Sequence, residues 1–164
     1  MTDVRDFTPT DWPAVEAIYM EGIRTGIATF ETSPKSEESW TKGSVPHSQL
    51  VAVGRDRTIY GWAVLWPVSD RCAYRGVAEV SVYVAASARG RGVGKILLNA
   101  LAKRSEELGI WTMQAGIFEE NKASIRLHEV CGFRTVGVRE RLGCLRGVWK
   151  NVMLMERRSS VVGT

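Results

Sequence analysis

The most constraining feature of this chain is an apolar segment that leads into a glycine-rich turn. Residues 77–84 read Val-Ala-Glu-Val-Ser-Val-Tyr-Val, and residues 89–95 read Arg-Gly-Arg-Gly-Val-Gly-Lys. The first stretch predicts a strand carrying one carboxylate, Glu79, and the second predicts a tight turn that opens a helix. Such a turn presents free backbone N–H groups, which suit a phosphate-bearing ligand. A carboxylate just upstream of a phosphate cradle indicates group transfer from a nucleotide-tailed donor.

Two better-known phosphate-binding motifs do not fit this turn. A dinucleotide-binding fingerprint requires G-x-G-x-x-G, whereas here the glycines stand at 90, 92 and 94 and Lys95 occupies the place of the third glycine. A Walker A loop requires G-K-[ST], and Ile96 follows Lys95. The phosphate-binding turn therefore belongs to another class.

Size and charge narrow the class of protein. The 164 residues predict a single domain over 1–164, with its core at about 4–156 and a frayed tail over 157–164. The net charge is +4 without a dense Lys/Arg run, which favours an anionic small ligand over nucleic acid. No apolar run approaches transmembrane length and no signal peptide is recognisable, so no membrane partner is expected and the cytoplasm is predicted.

The three cysteines, Cys72, Cys131 and Cys144, show no metal-ligand spacing. Their odd number favours reduced thiols in a reducing compartment, and no metal is expected.

Hydrophobic periodicity predicts alternating strands and helices. Strands are expected at 4–7, 49–53, 59–66, 78–84, 112–118, 135–142 and 148–155. Helices are expected after a cap at Thr10, after a cap at Ser36, over 93–108 and over 121–130. Four tryptophans in strand patterns are interpreted as packing residues, namely Trp62, Trp66, Trp111 and Trp149.

Two motifs resemble those of the GNAT acyltransferases. Arg89-x-x-Gly92-x-Gly94 is similar to that family's pyrophosphate loop, R/Q-x-x-G-x-G/A. The second motif is N-x-x-S followed by L-[YH]-E-x-x-G-F, which residues 121–133 match with Asn121, Ser124 and His128.

Further segments resemble the phosphinothricin and methionine sulfoximine N-acetyltransferases within that family. They are Ala78–Val84, the run at 126–129, the closing run at 148–152 and the early loop from Thr29 to Trp40. The loop Arg71-Cys72-Ala73 departs from the pattern, which bears on the substrate more than on the reaction.

The resemblance implies an α/β (α+β) GNAT fold and acetyl-CoA as co-substrate. The expected fold is a mixed, mostly antiparallel, twisted sheet of six to seven strands with helices on both faces. A splayed parallel pair, 78–84 and 112–118, would form the CoA cleft. The residues implied to bind acetyl-CoA are Val82, Tyr83, Val84, Arg89, Gly90, Arg91, Gly92, Val93, Gly94, Lys95, Asn121 and Ser124.

The resemblance also implies roles around the reacting groups. Glu79 would be the general base, and His128 would either protonate the leaving thiolate or shape the site. Arg75 and Arg71 would bind an acidic group of the substrate, and Phe30 would line its pocket.

The implied reaction is direct acetyl transfer to the free amine of a small amino-acid-like substrate, in a homodimer. Two alternatives remain at this point. The amine could belong to a protein N-terminus, or the chain could be a non-catalytic acyl-CoA-binding regulatory domain.

Overall fold

A computed structural model describes residues 1–164 and shows one seven-stranded sheet with the order β1-β2-β3-β4-β5-β7-β6. Neighbouring strands pair antiparallel everywhere except between β4 and β5, which are parallel. The strands are β1 Thr2–Asp6, β2 Leu50–Gly54, β3 Ile59–Pro67, β4 Val77–Val84, β5 Thr112–Phe118, β6 Arg134–Leu145 and β7 Val148–Arg158. The helices are α1 Trp12–Arg24, α2 Glu37–Gly43, α3 Val93–Glu107 and α4 Lys122–Val130. The predicted fold class is confirmed.

Helix boundaries follow local capping chemistry. Ser36 caps α2 as predicted, because its hydroxyl accepts a hydrogen bond from the Ser39 N–H at 3.2 Å. The predicted Thr10 cap of α1 is wrong, because Thr10 lies inside a short 3₁₀ turn, Pro9–Asp11, that precedes the helix. The Asp11 carboxylate instead accepts a hydrogen bond from the Thr8 N–H at 2.8 Å and closes that turn.

Helices cover both faces of the sheet. Trp62 of β3 donates from Nε1 to the Val15 carbonyl of α1 at 3.1 Å. A Cβ placed on the preceding residue, Gly61, would lie 2.9 Å from Leu97 of α3. Because successive strand residues face opposite sides, α1 and α3 pack on opposite faces.

An aromatic cluster on the α1 face holds β4 in place. Trp62 and Tyr83 stack with ring centroids 4.5 Å apart, and Tyr19 of α1 meets the Trp62 ring at 5.3 Å. Gly22 lets α1 approach closely, because a Cβ there would lie 2.4 Å from the Tyr83 ring. Each such aromatic pair contributes about 0.5–1.5 kcal/mol beyond area burial, so this part of β4 is rigidly supported.

Trp149 does not share this packing role. Its side chain is 61% exposed on β7, so the prediction that it packs is wrong. Its strand belongs to the β6–β7 hairpin, which forms one end of the sheet.

The parallel strands separate soon after they begin to pair. Their register runs only from Val77 opposite Thr112 to Glu79 opposite Gln114. Both strands then continue without pairing to each other, which leaves a cleft between them. The predicted splayed pair is present, and Glu79 stands at the point of separation.

The chain after β7 is held down, contrary to the expectation of a frayed tail from residue 157. The Ser159 N–H donates to the Trp111 carbonyl at 2.8 Å, and the Ser159 hydroxyl donates to Glu106 at 2.9 Å. Arg158 also donates to the Val162 carbonyl at 3.1 Å. Trp111 and Glu106 are distant in sequence from Ser159, which is why composition alone misled the prediction.

Candidate active site

A cavity of about 510 Å³ opens between β4, the glycine turn and the start of α4. All residues predicted to bind acetyl-CoA line it except Arg91. The guanidinium of Arg91 lies instead 5.0 Å from the centre of the Tyr60 ring. The loop after α1 completes the wall with Thr25, Ile27 and Ala28.

The backbone of the glycine turn has a geometry that suits an anion. Gly90 and Gly92 have φ values of 73° and 79°, which glycine adopts without strain. Gly92 is the N-cap of α3, so the next N–H groups, those of Val93, Gly94 and Lys95, have no acceptor inside the helix. Together with the positive end of the helix dipole, these N–H groups suit a pyrophosphate.

Strand β4 offers its own backbone to this cavity. The Ala85 N–H donates to the Tyr60 carbonyl of β3 at 2.8 Å. Backbone polar groups alternate in direction along a strand, so Val82 and Val84 direct theirs away from β3 and into the cleft. An extended amide chain therefore fits beside β4 as an added strand.

Asn121 connects α4 to the loop after α1. Its side-chain oxygen caps α4 by accepting from the Ser124 N–H at 3.2 Å, and its amide nitrogen donates to the Ile27 carbonyl at 3.2 Å. One side chain thus fixes two walls of the first cavity.

A second cavity, of about 620 Å³, lies on the α1 face at the point where β4 and β5 separate. Its polar lining includes Glu79, Ser81, Gln114 and Arg139, and its apolar lining includes the predicted Phe30. Phe30 is fixed there by an edge contact with Phe118, with ring centroids 4.6 Å apart.

Glu79 has the properties of a general base. It is half-buried, no protein group donates a hydrogen bond to it, and burial raises the pKa of its carboxyl above the ordinary value. The positive charge of Arg139 acts in the opposite direction and moderates that pKa. A carboxylate with a raised pKa accepts a proton from an ammonium group more readily than an ordinary one does.

Comparison with known proteins decides the family. A sequence profile of the acetyltransferase (GNAT) family matches residues 12–133. The chain belongs to the GNAT family. It is an acetyl-CoA-dependent N-acetyltransferase.

Two curated relatives and one solved structure are most informative. The phosphinothricin N-acetyltransferase of Alcaligenes faecalis is 37% identical over 94% of this chain and 81% of its own length. The L-methionine sulfoximine/L-methionine sulfone acetyltransferase of Pseudomonas aeruginosa is 31% identical over 93% and 92%. The Sinorhizobium meliloti phosphinothricin acetyltransferase, solved with acetyl-CoA, superposes with a TM-score of 0.87 at 31% identity, covering 99% of this chain and 90% of that one.

His128 of this GNAT domain is a core residue in the structure. Its side chain lines neither cavity, and the residue is 2% exposed. Nδ1 lies 2.7 Å from the Ser124 carbonyl, which can only accept, so Nδ1 carries the proton of the neutral ring. Burial lowers the pKa of His128, and Nε2 is buried without a partner. This environment disfavours the predicted role as proton donor to the thiolate.

The two arginines predicted to bind substrate lie outside both cavities. The Arg75 guanidinium lies 5.6 Å from the Trp111 ring centre, and that of Arg71 lies 5.4 Å from the Tyr74 ring centre. Both arginines are exposed beside these rings, and their role in substrate binding stays a prediction.

Sequence reasoning missed Arg139, Gln114 and Gly116, which all line the second cavity. Gly116 had a usable signal, because a glycine inside a strand often marks the close approach of a ligand. No comparable signal distinguished Arg139 among the arginines of β6.

No group of three or more His, Cys, Asp or Glu side chains in the chain could hold a metal ion. No helix is both long and apolar enough to cross a bilayer.

Proposed function

We propose that this GNAT enzyme acetylates the free amine of a small amino-acid-like substrate of the phosphinothricin or methionine sulfoximine/sulfone type. The observation that carries the proposal is the position of Glu79, at the separation of β4 and β5. The acetyl-CoA cavity lies farther along β4, and the second cavity opens at Glu79 itself. The named relatives support the substrate class.

Each part of the site has a chemical task in this proposal. The glycine turn binds the pyrophosphate of acetyl-CoA, and the backbone of Val82 and Val84 binds the pantetheine arm. An N–H of β4 near Val82 donates to the thioester carbonyl oxygen as negative charge develops there. Glu79 takes a proton from the substrate ammonium, directly or through water. The amine nitrogen then bonds to the carbonyl carbon, and the carbon–sulfur bond breaks to release CoA as thiolate. The second proton that the nitrogen loses on becoming the amide passes to that thiolate through water.

Direct transfer without a covalent acyl-enzyme is part of the proposal. None of the three cysteines lines either cavity. Cys131 is buried and its thiol pKa is raised by that burial, which opposes formation of a thiolate. Cys72 and Cys144 are exposed.

We also propose a homodimer and a cytoplasmic location. Exposed apolar side chains gather on the terminal hairpin and support burial against a second copy; they are Val136, Val138, Leu142, Val148 and Trp149. The free cysteines fit a reducing compartment. Light scattering of the wild-type chain and of Trp149→Glu tests the assembly, since a dimer through this surface should weaken in the variant.

The test of the function is thiol release from acetyl-CoA over a panel of amines. The panel contains phosphinothricin, methionine sulfoximine, methionine sulfone, the common amino acids and peptides with a free N-terminus. Preferential turnover of the amino-acid analogues supports the proposal. Turnover of peptides alone would assign a protein N-terminus as acceptor, and stoichiometric CoA binding without turnover of any amine would indicate a regulatory domain.

A further inference from the structure

We infer that Arg139 binds an acidic group of the acceptor and thereby determines which amines are acetylated. This inference rests on the proposed function, because it assumes an amino-acid-like acceptor in the second cavity. It adds a third arginine to the two that the sequence favoured, and of the three only Arg139 lines that cavity.

Strand register places Arg139 and Glu79 on the same face of the sheet. Glu79 pairs with Gln114 of β5, and Phe118 of β5 is on the same face because alternate residues share one. Phe118 pairs with Val152 of β7, and Val152 pairs with Arg139 of β6. Directly paired residues point to the same side, so the base and the arginine face a common cavity with two strands between them.

Gly116 lines the cavity between these two side chains and has little room for a side chain of its own. A Cβ on Gly116 would lie 3.3 Å from the Val152 side chain and 3.4 Å from Glu79 Oε1. A glycine at this position adds no side chain to the cavity lining between the base and the arginine. An acceptor that presents its amine to Glu79 can therefore extend over Gly116 towards Arg139.

Arg139 has no charged partner within the protein and is therefore available for a ligand. It forms no ion pair and no side-chain hydrogen bond with another protein group. The other acidic residue of the cavity, Glu31, is already paired with Lys35 at 2.8 Å. A guanidinium without a partner in a cavity suits a carboxylate or phosphinate, which it can bind through two parallel hydrogen bonds.

The experiment uses phosphinothricin as the acid probe, with two neutralised forms. One is its α-carboxamide and the other is the methyl ester of its phosphinate. Initial rates are measured for the wild type, Arg139→Gln, Arg139→Lys and the control Arg141→Gln. Arg141 is an exposed arginine two residues along the same strand, and it lines a separate groove with Trp149.

We expect Arg139→Gln to lower kcat/KM for phosphinothricin at least tenfold, which corresponds to about 1.4 kcal/mol. The loss should be mainly in the KM of phosphinothricin, while the KM of acetyl-CoA stays unchanged. Arg139→Lys should recover part of the activity, and Arg141→Gln should behave as the wild type. If Arg139→Gln has no effect on the α-carboxamide, Arg139 binds the α-carboxylate. If it has no effect on the methyl ester, Arg139 binds the phosphinate.

Equal losses on phosphinothricin and on both neutralised probes would overturn the inference while leaving the acetyltransferase function intact. If the wild type acetylates no amine, calorimetry with phosphinothricin and CoA still tests Arg139. Equal affinity of the wild type and Arg139→Gln would then reject the assignment independently of turnover.

Discussion

Glu79 of β4 and Gln114 of β5 are the last residues that pair across the parallel strands before those strands separate. This position places a half-buried carboxylate at the mouth of the cleft, with the first cavity farther along the same strand. One strand thus lines both the cavity proposed for acetyl-CoA and the cavity that contains Glu79.

Glu79→Gln should lower kcat by about 10²–10⁴-fold, the range typical of general-base catalysis. Only the ionised carboxylate accepts the proton, so the wild-type rate should rise with pH through the raised pKa of Glu79, above the ordinary value of 4.5. Glu79→Gln should lack this rise of the rate with pH, and pH–rate profiles of the two proteins measure the difference. Glu16→Gln, an exposed change on α1, serves as control. A limb unchanged in Glu79→Gln would assign proton removal elsewhere.

Gly92→Val should raise the KM of acetyl-CoA because a β-branched residue fits poorly at φ 79° and its side chain would enter the cradle. Gly109→Val is a matched control at the other end of α3, with φ 74° and no atom within 4 Å of an added Cβ. Both variants should lose stability to a similar degree in urea. Only Gly92→Val should weaken CoA binding by calorimetry, and equal CoA affinity in the two would reject the cradle.

His128→Phe should reduce kcat far less than Glu79→Gln, because the imidazole lines neither cavity. The folded-state pKa of His128 lies below its ordinary value of 6.5. The unfolded chain therefore takes up this proton first, and stability is lost as pH falls below about 6.5 towards the folded pKa. Urea midpoints between pH 7.5 and 5.5 should fall less in the variant. A kcat loss as large as that of Glu79→Gln would restore the proton-donor role.

Asp11→Asn should destabilise the N-terminal turn by about 1.5–3 kcal/mol, the range for hydrogen bonds to charged groups. The carboxylate accepts from Arg5 at 2.7 and 2.8 Å and from the Thr8 N–H at 2.8 Å. The Arg5 hydrogen bond is the main cause that lowers the pKa of Asp11, so its stabilisation is present above the ordinary value of 3.8 and lost as pH falls below it. Denaturant titrations at pH 7 and pH 3 should show a smaller difference between variant and wild type at pH 3.

The fold was predictable because its decisive signals are local. Residues 77–95 encode a strand, a glycine turn and the start of a helix within one stretch, and the first cavity forms around that stretch. The tail was not predictable, because Ser159 is held by Trp111 and Glu106, which are distant in sequence.

The acceptor side was harder to predict for a physical reason. The register of β6 against β7 is irregular between Arg139 and Gly143, so simple alternation cannot assign the face of its arginines. The resemblance favoured Arg75 as a substrate-binding residue. The direction of its guanidinium, however, depends on contact with the ring of Trp111, which is distant in sequence. His128 shares a helix face with Ser124, which lines the first cavity. The burial of His128 could not be predicted from that spacing, because its ring packs against Phe133, with ring centroids 5.0 Å apart.

The loop after α1 is the one continuous segment outside β4 that lines both cavities, with Thr25, Ile27 and Ala28 on one and Thr29, Phe30 and Glu31 on the other. No residue is shared between the two linings. With the acceptor in the second cavity, as proposed, substitutions in β6 and β7 can change acceptor preference and leave the lining of the first cavity unchanged. A substitution in the loop after α1, by contrast, can alter the linings of both cavities.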